Sequence, residues 1–342
     1  MAYGGNEWLA LTEEETLEPD LPICDPHHHL WDMRTERTPY QRYLLHDLLG
    51  DTGSGHNVRS TVFVEANSMW KASGPEEIRS VGEVEFVQGT AAAFASGIYG
   101  NFRGAAAIVG SANLNLGEAV RPVLEALRGA SPNRFRGIRH RLTWDPHPDL
   151  PGMTAPGVQG QMAQSKFREG AQVLADMGMS LEGWMYHHQL TELADFAKAV
   201  PDLTIILNHI GGVARIGPYA GKDDETIPAW KEGIAAVAEA PNVVIKLGGM
   251  GMPIMGFNWH LREKPVGSTE LSDDMAPFLS YCIEQFGTDR GMFESNFPVD
   301  KVSFSYHIMY NAFKRFSVDY NPNERAAMFH DNAVRIYNVS EE

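Results

Sequence analysis

The first residues able to do chemistry come early, in Asp25-Pro26-His27-His28-His29. Side chains two apart on a strand point to the same face, so His27 and His29 are expected side by side, with His28 turned away as a structural residue. Two neighbouring imidazoles can share a metal ion or grip a substrate oxygen, and one can serve as an acid or base near neutral pH. Further histidines close other apolar runs, with His187 or His188 after SLEGWMY and His209 after LTIILN. The run Arg134–His140 is followed by Arg141, and alternation puts Arg139 and Arg141 on one face. Their forked guanidinium groups suit a substrate carboxylate or carbonyl, with Lys246 available to assist; salt bridges inside the fold are the structural alternative.

Residues like these must be brought to one place. Eight short β-prone runs are spread along the chain, starting at Pro22, Ser60, Gly104, Arg134, Ser180, Leu203, Asn242 and Gly291. Helical segments fall between them at Glu83–Ser96, Glu118–Arg128, Ser165–Met177, Thr191–Val200, Ala229–Ala238 and Asp273–Phe286, and Phe304–Phe316 and Asn323–Tyr337 follow the last. That alternation predicts parallel βα units, and eight of them predict a (β/α)8 barrel, an α/β fold, over residues 21–342, preceded by an extension of residues 1–20. No Gly-rich phosphate fingerprint follows an early strand, which argues against a doubly wound sheet. Barrel active sites lie at the C-terminal ends of the strands, where these histidines fall. Three loops there are long. The first carries Trp31, Arg34, Tyr40 and Tyr43, the fourth is WDPHPDLPGMTAPGVQG, and the seventh holds Met250, Met252, Met255, Phe257 and Trp259. Trp31, Met250 and Trp259 are read as an apolar substrate wall, against the alternative of core or subunit packing.

The bulk composition narrows the function. With 43% hydrophobic and 21% charged residues the chain can build a large core. A net charge of −16 disfavours nucleic acid and anionic membranes, although a local arginine cluster would still receive an anionic substrate. No apolar run nears the roughly 20 residues that cross a bilayer, and the acidic N-terminus lacks the features of a signal peptide. A cytoplasmic protein is expected. Cys24 and Cys282 are too few for a disulfide framework and read as reduced packing residues.

Asp25-Pro-His-His-His-Leu-Trp-Asp32, Tyr186-His-His-Gln-Leu190, Leu207-Asn-His-Ile-Gly-Gly212 and Asp331-Asn-Ala-Val-Arg-Ile-Tyr337 together resemble the amidohydrolase-related branch of the amidohydrolase superfamily. The resemblance runs from Leu21 to Val339. This branch includes pyrone-dicarboxylate and sugar lactonases and, more distantly, zinc-dependent decarboxylases. It implies a barrel hydrolase in which His27 and His29 are the first-strand pair, His187 the fifth-strand group and His209 the sixth. The family ends its eighth strand with Gly-Ser-Asp, an aromatic residue and proline, and that aspartate is the general base. Here Phe293-Glu-Ser-Asn-Phe-Pro puts Asn296 in its place. An amide cannot take a proton from water at neutral pH. Either the base has moved, or the reaction needs no carboxylate base, or activity is lost. Glu294 is the first replacement, one layer deeper on the same face, followed by Asp300 and Glu65.

The expected function is hydrolysis of a lactone or related ester of a small aromatic or hydrophobic acid. His27, His29, His209, Glu294 and Asn296 form the catalytic set, and Arg139, Arg141, Trp31, Met250 and Trp259 bind substrate. Any metal is expected to be zinc on His27, His29 and His187 or His209, with a metal-free site the equal alternative. Non-oxidative decarboxylation of an aromatic acid and a catalytically silent binding barrel are the competing functions. Asn296 counts against the first and the retained histidines against the second. The expected partner is a small-molecule substrate, with homo-oligomerisation left open.

Overall fold

The computed structural model describes residues 4–147, 150 and 157–341, so part of the Pro- and Gly-rich fourth loop lies outside the described residues. Eight strands appear: β1 Pro22–His28, β2 Asn57–Val64, β3 Arg103–Ser111, β4 Phe135–Arg141, β5 Ser180–Trp184, β6 Ile205–Leu207, β7 Val243–Leu247 and β8 Gly291–Phe293. They pair in parallel in chain order from β1 to β8. The ring is drawn together at its C-terminal rim, where His28 bridges Phe297, His29 N–H donates to Phe297 O at 2.8 Å and Asn296 N–H donates to His27 O at 2.9 Å. This is the (β/α)8 barrel that the alternating runs predict.

Strand alternation sorts the core into two shells. Ile23, Phe63, Ile108, Ile138, Leu181, Leu207, Ile245 and Phe293 face the surrounding helices. Cys24, Val62, Val64, Val109, Ile206, Val244 and Met292 fill the barrel interior, with Tyr337 and Val339 of the C-terminal segment packed among them. Both cysteines are buried and unpaired. Two residues further along the same inward rows the interior turns polar, as Val244 gives way to Lys246 and Met292 to Glu294, each fully buried. An apolar plug below and a charged layer above therefore share the same strands.

Most predicted helices recur within a few residues. Two start earlier than expected, at Asp223 and at Ser268. Asp223, Asp224 and Glu225 occupy the first turn of one, where carboxylates interact favourably with the helix dipole, and the helix continues past Pro228. The other is capped from 254 residues away by Glu14, whose Oε1 accepts from Ser268 N–H at 2.7 Å. The segment Asn323–Tyr337 is helical from Pro322 but contains a wider π turn over Ala327–Asp331. A helix at Leu45–Thr52 inside the first loop was not expected. The stretch before β1 is tied to the helix Tyr306–Phe316, with Leu17 N–H on Asn311 Oδ1 at 2.9 Å and Lys314 Nζ on Leu17 O at 2.8 Å. Among the described residues no helix is long and apolar enough to cross a membrane.

Candidate active site

The site begins with an irregularity in β1. Its register against β2 shifts between Asp25 and His28, and a bulge of this kind re-aims side chains at a rim. Asp25 holds it, because Oδ1 accepts from His27 N–H at 3.2 Å and from Ser295 N–H at 2.9 Å, while Tyr306 Oη donates to Oδ2 at 3.2 Å. Both His27 and His29 turn inward, their rings edge to face at 4.9 Å, and His28 packs outward on Phe63. His27 lies deeper, fully buried, whereas His29 reaches the cavity above.

His209 completes the group, its ring 4.7 Å from that of His27. After β6 the chain turns through positive φ at His209 (+55°) and Ile210 (+51°), uncommon for a β-branched residue. Trp230 Nε1 holds the turn by donating to Ile210 O at 2.7 Å. Gly249 makes room for the ring: with φ +69°, a Cβ there would lie 2.4 Å from His209 Nδ1. His187 goes elsewhere. It starts a short 3-10 turn after β5, its Nδ1 accepts the Ala214 N–H at 3.3 Å, and its ring packs edge-on against Tyr219. The expected fifth-strand ligand therefore does not join the cluster.

Glu294 is the centre of the arrangement. Its Oε1 lies 2.7 Å from His209 Nδ1 and accepts the His209 backbone N–H at 3.1 Å, while Oε2 lies 2.8 Å from His27 Nδ1. Lys246 Nζ reaches the Glu182 oxygens at 2.9 and 2.8 Å and lies 3.3 Å from His27 Nδ1. Tyr337 Oη and Asn208 Nδ2 donate to the same Glu182, at 2.6 and 2.9 Å. Arg139 bonds Glu65 through Nε at 2.7 Å and stands 3.3 Å from His27 Nε2 through Nη1. With Glu294 ionised, the carboxylates of Glu65, Glu182 and Glu294 balance Arg139, Arg141 and Lys246, and the histidines are neutral. Burial pushes the Glu294 carboxyl up to about 8, with Lys246 pulling against it. Burial, helped by Arg139 and Lys246, drives the His209 imidazole well below its usual range.

Asn296, also at positive φ (+54°), sits between His29 and Asp300. His29 Nδ1 lies 2.8 Å from Val64 O, which only an N–H can satisfy, so in the neutral ring Nε2 carries the lone pair. The Asn296 amide is 3.3 Å from that nitrogen and 2.7 Å from Asp300 Oδ1. The amide Nδ2 donates to Asp300 and the amide oxygen faces His29, while burial pushes the Asp300 carboxyl well above the carboxylate range. Asp300 thus lies behind Asn296, anchored by Gly251 N–H at 2.8 Å, and not in the cavity. Glu65, pushed up by burial but pulled lower overall by Arg139 and Arg141, is occupied by those two arginines.

The cavity over this floor has a volume of about 360 Å³. His29, His209, Asn296, Arg139 and Arg141 reach it, as does Trp31 of the expected apolar wall. Met250 and Trp259 do not. Both are buried at 1% exposure, and Trp259 stacks on Phe257 at 4.2 Å and donates to Asp274. Met252, Pro253 and Ile254 of the same loop supply the wall, together with Trp184 and Tyr186. Sequence reasoning missed Glu182, although an acid at an inward position of a buried strand was a signal for it. It also missed Arg37, which carried none.

Ligand atoms of His27, His209 and Glu294 come within 4.8 Å of one another, the spacing a metal ion needs. The donor set does not fit a divalent cation. His27 has cationic nitrogens 3.3 Å from each ring nitrogen, Lys246 at Nδ1 and Arg139 at Nε2. The one carboxylate, Glu294, is turned to the Nδ1 atoms of both histidines, and the eighth-strand position holds an amide. Exhaustive chelation is accordingly expected to leave activity unchanged, with less than stoichiometric metal by elemental analysis; activity lost on chelation and restored by zinc would contradict this.

A family model described as amidohydrolase matches residues 24–339. The protein y4mH of Sinorhizobium fredii is 31% identical over 339 residues, covering 94% of this chain and 99% of that one. An L-fucono-1,5-lactonase of Burkholderia multivorans is 25% identical over 239 residues, covering 69% and 72% of the two chains. A crystal structure of a zinc-bound amidohydrolase from Burkholderia multivorans superposes with a TM-score of 0.68 at 21% identity, covering 93% of this chain and 99% of that one. A buried histidine cluster at the C-terminal rim of an eight-stranded barrel, and a family match over nearly the whole chain, lead to one conclusion: the chain belongs to the amidohydrolase family.

Proposed function

We propose that this protein hydrolyses the ester bond of a lactone, or a related ester, of a small hydrophobic or aromatic acid, without a metal. The observation that carries this is the Glu294 carboxylate at 2.7 Å from His209 Nδ1, which leaves Nε2 as the ring nitrogen for the cavity. An imidazole held this way by a buried carboxylate acts as a general base, and the carboxylate stabilises the imidazolium that forms. His209 Nε2 takes a proton from water as the water oxygen adds to the ester carbonyl carbon. Arg141 touches Glu65 through Nε at 3.4 Å and donates to the Asn67 amide oxygen through Nη1 at 3.3 Å, which leaves Nη2 for the developing oxyanion. Collapse breaks the carbonyl carbon–oxygen bond, and the departing alkoxide takes the proton from His209, giving a free acid and an alcohol. The relation to an L-fucono-1,5-lactonase supports the reaction class, and the apolar wall of Trp31, Trp184, Met252 and Ile254 supports a hydrophobic ring.

The test is a pH-stat assay against aryl, pyrone-type and sugar lactones, with carbon dioxide release from aromatic acids followed in parallel. Turnover of an aromatic or pyrone-type lactone is expected. Carbon dioxide release with no lactone cleaved would sink the proposal in favour of decarboxylation. Changing Asn296→Asp probes the missing family aspartate. The new carboxyl would stand about where the amide now meets Asp300 at 2.7 Å, and two acids that close share one proton. Activity is expected to fall or stay the same, because the base is elsewhere. A gain in rate, or new metal binding, would show that Asn296 marks lost catalysis.

A further inference from the structure

The first loop contributes two cations that ester cleavage by His209 does not use. Arg34 and Arg37 both line the cavity, their guanidinium carbons 5.6 and 5.8 Å from the ring centre of Trp31. Arg34 is paired with Glu36 at 2.5 Å and also donates to Ala66 O. Arg37 is different: its Nε is buried and has no hydrogen-bond partner among the described residues. Its charged neighbours are mostly cations, Arg34, Arg141 and Arg139, against the single carboxylate of Glu36. Glu65, on the inner wall, is already shared by Arg139 and Arg141. With Glu65, Glu182 and Glu294 set against Arg139, Arg141 and Lys246, and Glu36 against Arg34, the charge of Arg37 is left over among four guanidinium groups that open onto one cavity, in a chain whose net charge is −16. Like charges crowded in a partly desolvated pocket repel, and an unpaired buried donor is costly, unless the ligand supplies the missing anion.

The geometry points to a carboxylate seat formed by Arg37 with Arg34 and Arg141, so that the substrate carries a free carboxylate besides the ester that is cut. The part of this concerning the ester rests on the hydrolase proposal; the seat itself does not. A planar guanidinium fork grips a carboxylate by donating two parallel N–H bonds, and Trp31 backs Arg34 and Arg37 from beneath. Neutral sugar lactones leave Arg37 unpaired and are disfavoured on the same grounds.

Direct binding separates the two proposals. Isophthalate, benzoate and benzamide are titrated into the full-length protein at low and high salt, followed by calorimetry and by the fluorescence of the cavity tryptophans. Isophthalate is expected to bind at least about tenfold tighter than benzamide, with the advantage shrinking in salt. Arg37→Gln should weaken isophthalate about tenfold or more and benzamide far less, and Arg37→Lys, which keeps the charge but not the fork, should fall between. Benzamide binding as tightly as isophthalate, or Arg37→Gln weakening all three ligands equally in a folded protein, would overturn the seat. Arg37-dependent isophthalate binding without turnover of any lactone would keep the seat and remove the hydrolase. Hydrolysis of neutral lactones at rates indifferent to Arg37→Gln would do the reverse.

Discussion

Glu294→Gln is expected to lower kcat/KM by at least about 100-fold, since a positioned acid–base group contributes roughly 10²–10⁴-fold. Glutamine keeps the shape but cannot hold the charge that stabilises a protonated His209, whose Nδ1 now lies 2.7 Å from Oε1. The pH profile adds a second signature. The Glu294 carboxyl is pushed up to about 8, so at pH 7 it is mostly protonated and unable to stabilise the imidazolium. Activity in the parent protein should therefore rise with pH, close to tenfold per unit below this value, and level off above it. The apparent pKa belongs to the Glu294–His209 pair and not to either group alone. In Glu294→Gln this limb should vanish. A folded Glu294→Gln protein with parental rates would remove Glu294 from the mechanism and move the role of base to another group.

Lys246→Met carries the largest expected effect on stability. Lys246 and Glu182 are each wholly buried, 2.8 Å apart, and the substitution leaves the Glu182 carboxylate with Tyr337 and Asn208 as its hydrogen-bond donors among the described residues. Removing one partner of a buried ion pair costs about 3–5 kcal/mol, because the other charge stays desolvated. The apparent melting midpoint should fall on the order of 5–15 °C. Replacing both, as Glu182→Leu with Lys246→Met, should recover most of that loss, since an apolar pair of similar volume carries no uncompensated charge. Activity should not recover with it, because His27 still lacks the ammonium 3.3 Å from its Nδ1. Thermal denaturation of the three variants decides the matter: a double variant no more stable than Lys246→Met would mean that the pair is not what the single change disrupts.

How much of this could be read from the chain depends on the reach of each interaction. Hydrophobic alternation is local, so β1 at Pro22–His28 and the shared face of His27 and His29 follow from the residues themselves, as does Glu294 one layer below Asn296. That this face points inward was decided by the register shift between Asp25 and His28, since Cys24 already faces the interior. The family resemblance has the same source, because its motifs sit at strand ends. What the tertiary structure decided is which of these groups meet. His209 and His187 each follow a strand, yet only the left-handed turn at His209–Ile210, with Gly249 leaving space beside it, swings a ring onto Glu294. Met250 and Trp259 look as exposed in the sequence as Met252, but loop packing buries two and leaves the third facing the cavity. Glu14 capping a helix 254 residues away and Tyr337 reaching Glu182 across the barrel floor are contacts between distant segments, and it is the packing of distant segments that leaves Arg37 Nε buried with no hydrogen-bond partner among the described residues. No period or propensity encodes them, because charge pairing inside a barrel is settled by which strands become neighbours once the ring closes.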